Sequence, residues 1–185
     1  MKAVILAGGL GTRIREETEF RPKPMVEIGG KPIIWHIMKN LSVQGINDFV
    51  SCLGYKGEVI KDFFLNYHAR TNDVYVNTSQ TNQFRSHSST SEDNWNITLA
   101  DTGLNTQTGG RIKRVSKYLG EESFLCTYGD GVADINLKEL QDFHFSHGKI
   151  ATVTSVNPPS RFGALTISND GEVLEFVEKP GDTHW

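Results

Sequence analysis

The 185-residue sequence predicts an α/β fold built on a mostly parallel sheet, on three observations. Strand-like apolar runs at 3–6, 48–53, 123–128 and 149–156 alternate with segments of helical period, the pattern of repeated strand–helix–strand units. The first run empties into a glycine-rich loop, Gly8-Gly9-Leu10-Gly11. The candidate ligand-binding segments at 8–13, Gly54-Tyr55 and Gly129-Asp130-Gly131 each follow a strand, where open α/β sheets hold ligands.

Ala3-Val4-Ile5-Leu6 is short, apolar and closed by glycine, as a fully buried strand is. The glycines after it let the backbone approach a ligand and turn its N–H groups toward it, because no Cβ intervenes and positive φ carries no penalty. With Arg13 just beyond, Leu6, Ala7, Gly8, Gly9, Leu10, Gly11, Thr12 and Arg13 read as a cradle for phosphate. Lys23 follows between Pro22 and Pro24, in a stretch that cannot easily be helical, and a cation so placed suits a polyphosphate. The spacing excludes two common phosphate motifs. Ile14 stands where a dinucleotide fingerprint needs its third glycine, and no Gly-Lys-Ser/Thr follows at Walker spacing. A glycine-rich turn with no ligand shares the Gly-Gly-x-Gly pattern; the flanking cations weigh against it.

A helix is predicted from Pro32, with Ile34, Ile37, Met38 and Leu41 on one face and a stop near Gly45. A second runs from about Gly57 with Val59, Ile60, Phe63, Phe64 and Tyr67, and a third follows Arg111 with Ile112, Val115 and Leu119. All three stripes read as core. Residues 77–94 are mostly Asn, Ser, Thr and Gln, with Phe84 the one large apolar side chain, and predict an exposed loop or excursion. Trp95, Ile97 and Leu99 alternate as in a half-buried strand, and Asn169-Asp170-Gly171 is the turn of a C-terminal hairpin.

Length predicts one domain, 1–185, able to bury about 70% of its unfolded surface. A formal charge of -3 lacks the basic excess that drives nucleic-acid binding, so no nucleic-acid partner is expected. Cys52 and Cys126 lie in apolar runs and read as buried, reduced thiols suited to the cytoplasm. The apolar run after Lys2 is too short for a signal peptide, and no stretch is long enough to span a membrane.

The segments 2–13 and Arg21-Pro22-Lys23-Pro24-Met25-Val26-Glu27-Ile28-Gly29-Gly30-Lys31-Pro32-Ile33 closely resemble the sugar-1-phosphate nucleotidyltransferases, which make nucleotide sugars. Trp95-Asn96-Ile97-Thr98-Leu99-Ala100-Asp101-Thr102-Gly103, Thr108-Gly109-Gly110-Arg111, Tyr128-Gly129-Asp130-Gly131, Arg161-Phe162-Gly163-Ala164-Leu165 and Glu178-Lys179-Pro180 extend the likeness in order. Within the family the chain is most similar to the branch that cytidylylates glucose 1-phosphate. The resemblance implies a Rossmann-like three-layer nucleotidyltransferase domain with a mostly parallel mixed sheet. It implies CTP and glucose 1-phosphate as substrates, CDP-glucose and pyrophosphate as products, Mg²⁺ as cofactor, and a homo-oligomer, with a hexamer among the assemblies the family allows. Arg13 would meet the triphosphate, Lys23 the reacting phosphates, Asp130 the Mg²⁺ and Lys179 the sugar phosphate. Base choice would fall to the segment around Thr106, Thr108 and Arg111.

On residue chemistry alone, Asp130 is the best Mg²⁺ ligand of the sequence, though a loop Asp between glycines also caps its neighbours. Arg111 could read O2 and N3 of cytosine, or bind phosphate or solvent at a helix N-terminus. Lys113, Arg114 and Lys117 read as solvated, and the spacing of His68, His144 and His147 gives no ligand set. Family members continue past the Glu-Lys-Pro strand to a second acidic Mg²⁺ ligand, whereas this chain ends at Trp185. The fold is therefore expected without the family's C-terminal part, and the chain to bind CTP, hold Mg²⁺ loosely and turn over little. Asp101 and Asp134 are the first residues to examine for a second ligand. The competing readings are a thymidylyl- or uridylyltransferase for another sugar 1-phosphate and a nucleotide-binding module with little catalysis.

Overall fold

In the computed structural model, residues 1–11, 20–77, 79, 84–86, 94–156 and 164–177 are described. In chain order the elements are β1 (Ala3–Leu6), β2 (Glu27–Ile28), β3 (Lys31–Pro32), α1 (Ile33–Val43), β4 (Asp48–Leu53), α2 (Gly57–Leu65), α3 (Tyr67–Thr71), β5 (Val74–Val76), β6 (Phe84–Ser86), β7 (Asn96–Asp101), α4 (Thr108–Val115), β8 (Leu125–Tyr128), α5 (Leu137–His147), β9 (Ala164–Ile167) and β10 (Val173–Val177). They divide into two compact units, Met1–Leu137 and Lys138–Trp185.

The first unit is built around β1, which is apolar on both faces because it runs through the middle of a parallel sheet of order β7-β4-β1-β8. Val4 lies opposite Val50 and Cys126, and Leu6 opposite Cys52 and Tyr128. The chain steps outward from β1 to β4 and β7, then returns across β1 to place β8 on the other side. The order thus reverses between β1 and β8, and the crevice beyond their carboxyl ends is where such sheets bind ligands.

Helices cover both faces. On one, Val4, Val50, Cys52 and Ala100 pack with Val115 and Leu119 of α4 and the turn that follows it. On the other, Phe49 packs edge-on to Trp95, which meets Trp35 of α1 and Tyr67 of α3, with the Trp35 indole N–H donating to the Tyr67 hydroxyl at 2.7 Å. The stripe Ile34, Ile37, Met38 and Leu41 is buried as its spacing predicts, and the helix ends where Gly45 turns to φ +92°. Pro32 is the extended residue before the helix rather than its first turn.

Four expectations differ. The second helical stripe breaks at Asn66, whose side-chain amide donates to the Asp62 carbonyl and carboxylate, so Phe63, Phe64 and Tyr67 form a half-buried ring cluster across two helices. The polar stretch after Asn77 is not all loop, since β6 pairs antiparallel with β5 there. Cys126 is exposed on the edge strand β8; only Cys52 is buried. Residues 150–156 form no strand, and Ile150, Val153 and Val156 are exposed, because an apolar run becomes a strand only beside a partner and they have none among the described residues.

In the second unit, β9 and β10 form the expected hairpin. Gly171 takes the φ of +87° that its turn needs, and the Ser168 amide donates to the Glu172 carbonyl at 2.8 Å. The hydroxyl of Thr152 lies 2.8 Å from both His144 Nδ1 and His147 Nε2. Among the described residues no helix is long and apolar enough to cross a membrane.

Candidate active site at the sheet's switch point

The loop leaving β1 stays in the plane of the sheet for one residue, the Ala7 amide donating to the Cys52 carbonyl at 3.0 Å, and then turns. At the turn the Gly8 carbonyl accepts from the Tyr55 amide at 3.3 Å and from Arg111 Nη2 at 2.9 Å. The glycines serve different ends. A Cβ on Gly8 would stand 2.1 Å from Arg111 Nη1, and one on Gly54 would stand 2.7 Å from the same atom, so these two glycines make room for a guanidinium. Gly11 has φ +67°, which a glycine adopts freely, while a Cβ on Gly9 would meet nothing within 4 Å.

Arg111 is the hub of the site. It sits inside α4, which starts at Thr108, four residues before its apolar stripe begins at Ile112, and it is only 6% exposed. Its Nη1 donates to the Leu53 carbonyl at 3.0 Å and the Thr102 hydroxyl at 2.7 Å; its Nη2 donates to the carbonyls of Gly8 and Leu104 at 2.9 and 3.1 Å. One side chain therefore ties together the exits of β1, β4 and β7. Burial lowers its pKa from the ordinary arginine value, the nearby Cys52 thiol working against this and Arg114 with it. The guanidinium nonetheless stays charged, as arginine does in proteins, and its neutral acceptors satisfy it.

Across the crevice the two prolines around Lys23 set up the second half. Lys23–Met25 form a single 3₁₀ turn, a short helical piece in a stretch expected to avoid helix. Pro24 is buried against Gly129, whose Cβ would stand 3.0 Å from the proline ring, and the Gly129 amide donates to the Leu6 carbonyl at 3.0 Å. That packing brings Lys23 Nζ within 3.5 Å of Asp130 Oδ2. Lys23 is well shielded at 19% exposure while Asp130 is open at 41%, so the carboxylate has room for a further partner.

Residues 6–11, Lys23, Asp130, Thr106, Thr108 and Arg111 all line one pocket of about 840 Å³. Pro24 and Gly131 complete the lining with Leu104, Asn105, Gln107 and Tyr128, four residues to which the sequence assigns no individual role; only the nearby glycines Gly103 and Gly129 signal close approach there. Thr12, Arg13 and Lys179 lie outside the described residues. Asp101 accepts from the Gly103 amide at 2.9 Å, and neither it nor Asp134 lines the pocket. Arg114, expected to be solvated, donates to the Thr102 carbonyl and, at 2.6 Å, to the Thr106 hydroxyl. No group of three or more His, Cys, Asp or Glu that could hold a metal occurs among the described residues. Asp130, the one acidic side chain lining the pocket among the described residues, fits Mg²⁺, which takes one or two carboxylates and fills its shell with phosphate oxygens and water.

The "Nucleotidyl transferase" family model matches residues 2–184. The chain belongs to the nucleotidyltransferase family. Over 181 residues it is 58% identical to a glucose-1-phosphate cytidylyltransferase of Salmonella typhimurium, covering 97% of this chain and 69% of that protein. A probable glucose-1-phosphate cytidylyltransferase of Bacillus subtilis is 48% identical over 179 residues, again 97% and 69% of the two chains. Among solved structures, HddC from Yersinia pseudotuberculosis complexed with GMP-PN aligns with a TM-score of 0.57 at 28% identity, over 96% of this chain and 69% of that one. The mostly parallel sheet with flanking helices is thus the nucleotidyltransferase fold, and the family generally uses a divalent metal.

Proposed function

We propose that the chain is a cytoplasmic, Mg²⁺-dependent nucleotidyltransferase domain, 1–185, that transfers the cytidylyl group of CTP to glucose 1-phosphate, giving CDP-glucose and pyrophosphate. The carrying observation is the single pocket in which the glycine cradle, Lys23, Asp130 and the segment 104–108 meet at the switch point. The identity to cytidylyltransferases supports the choice of CTP.

In the reaction an oxygen of the sugar 1-phosphate bonds to the α-phosphorus as the α–β bridging oxygen leaves with pyrophosphate. The attacking oxygen needs no general base, because the second phosphate pKa is about 6 and the nucleophile is already anionic at neutral pH. The protein's task is alignment and charge neutralisation. The backbone of residues 8–11, with Arg13, holds the triphosphate; Lys23 neutralises charge at the reacting phosphates; Lys179 holds the sugar phosphate. Asp130 would hold Mg²⁺, which supplies neutralisation of the phosphate oxygens. Both η nitrogens of Arg111 already end on protein acceptors, so when Arg111 reads the acceptor edge of cytosine, the base replaces backbone carbonyls such as those of Leu104 and Gly8. Thr106 and Thr108 line the same wall.

The test is a panel of CTP, UTP, dTTP and GTP with glucose 1-phosphate, read by pyrophosphate release. CTP is expected to be the preferred donor. A preference for dTTP or UTP would instead make the chain a thymidylyl- or uridylyltransferase, and CTP binding without release would make it a nucleotide-binding module. We further propose a homo-oligomer, supported by the exposed apolar side chains Phe143, Phe145, Ile150 and Val153 of the second unit, with sedimentation at several concentrations as the check. A monomer at every concentration would contradict it.

A further inference from the structure

Arg111 and Arg114 stand three residues apart on one face of α4 and both reach into the segment 102–106 that forms one wall of the pocket. Arg111 donates to the Thr102 hydroxyl and the Leu104 carbonyl. Arg114 reaches the same segment, with Nη1 donating to the Thr102 carbonyl and to Thr106 Oγ1. Two glycines allow this. Gly103 has φ +84°, and a Cβ there would stand 2.6 Å from Arg114 Nη1 and 3.0 Å from Thr106 Oγ1. A Cβ on Gly110 would stand 2.9 Å from the Thr106 methyl. The Thr106 side chain is thus held on both sides, its methyl against the helix backbone and its hydroxyl under a guanidinium.

The chemical consequence lies in the hydroxyl proton. A threonine hydroxyl is one donor and two acceptor sites. With Oγ1 accepting from a charged guanidinium at 2.6 Å, the proton turns away from that donor and a further donor is disfavoured at the oxygen. Thr106 is one of the residues lining the pocket, and a hydroxyl held in this way has its proton left to give to a ligand there. A fixed donor separates bases: N3 of cytosine is an acceptor, whereas N3 of uracil and thymine carries a hydrogen.

We propose that Arg114 is a positioning residue for base selection: by holding Thr106 Oγ1 as its acceptor, it fixes the threonine as a hydrogen-bond donor to the pyrimidine edge. Arg114 itself touches no substrate. The inference rests on the proposed use of CTP, and the experiment separates the two.

The test measures dissociation constants for CTP and UTP with Mg²⁺ by isothermal titration of the full chain, with thermal melting as a check on folding. The variants are Arg114→Met, Arg114→Lys, Thr106→Val and the double Arg114→Met/Thr106→Val. Arg114→Met is expected to cut the preference for CTP over UTP about ten-fold, the scale of one net hydrogen bond. Thr106→Val is expected to cut it similarly, the double variant no further, and Arg114→Lys is expected to restore part of it. Equal weakening of CTP and UTP in Arg114→Met would overturn the inference, leaving a structural brace with no part in selection. So would a double variant that loses the sum of the two single effects. A wild type preferring UTP would overturn both the CTP reading and the inference, whereas a CTP preference left intact in Arg114→Met would overturn the inference alone. A wild type that binds both bases equally would overturn both.

Discussion

Lys23 Nζ and Asp130 Oδ2 lie 3.5 Å apart, which sets a cation and a half-exposed carboxylate side by side in the pocket where the triphosphate would react. Charge at that point redistributes most in the transition state, so Lys23→Ala is expected to lower turnover more than CTP affinity, by about 2–4 kcal/mol in barrier. Steady-state kinetics decide it: a raised KM with intact turnover would make Lys23 a ground-state binder. Cys52 gives a second prediction. Burial, and then the neighbouring Cys126, raise its thiol from 9.0 to about 11, with Arg111 pulling the other way. The folded protein keeps the proton that the unfolded chain releases near pH 9, so this contribution to stability is complete below about pH 9 and is lost as pH rises toward 11. Its size is about 2–3 kcal/mol. Urea midpoints at pH 8 and pH 10.5 should fall further apart in the wild type than in Cys52→Ala.

At the scale of elements, Arg111 makes the exits of β1, β4 and β7 one assembly, and Gly8 exists to admit it. Gly8→Ala would place a methyl 2.1 Å from Arg111 Nη1 and displace the guanidinium from its backbone acceptors, leaving the buried charge and the Leu104 carbonyl without these hydrogen bonds. The expected outcome is a loss of about 2–4 kcal/mol in unfolding free energy, at 1–3 kcal/mol per buried group left unpaired, together with weaker CTP binding. Gly9→Ala meets nothing within 4 Å and should melt as the wild type does. Equal melting of the two variants would contradict this division. The sequence made the cradle legible because glycines clustered after an apolar run have few uses. It could not show that one of them, Gly8, answers to a residue about a hundred positions later, because that contact exists only once β7 and α4 have returned to the sheet. Arg114 escaped for the same reason: its acceptors lie on the strand exit before its helix, and a cation in an amphipathic helix otherwise reads as solvated.

At the scale of the molecule, the alternation of strands and helices sufficed to predict the parallel sheet, because buried strands and one-sided helices differ in period. The β7-β4-β1-β8 order, which places the switch point, is long-range and not written in any local run. The misreading at 149–156 has the same origin, since local β-propensity does not supply a neighbouring strand. The most direct measurement is calorimetric titration of the chain with CTP, UTP and dTTP in the presence of Mg²⁺, on the wild type and on Asp130→Asn. CTP is expected to bind tightest, and Asp130→Asn to remove the dependence of its affinity on Mg²⁺ while the nucleotide still binds through residues 8–11. Tighter binding of UTP or dTTP, or an unchanged Mg²⁺ dependence in Asp130→Asn, would contradict this expectation.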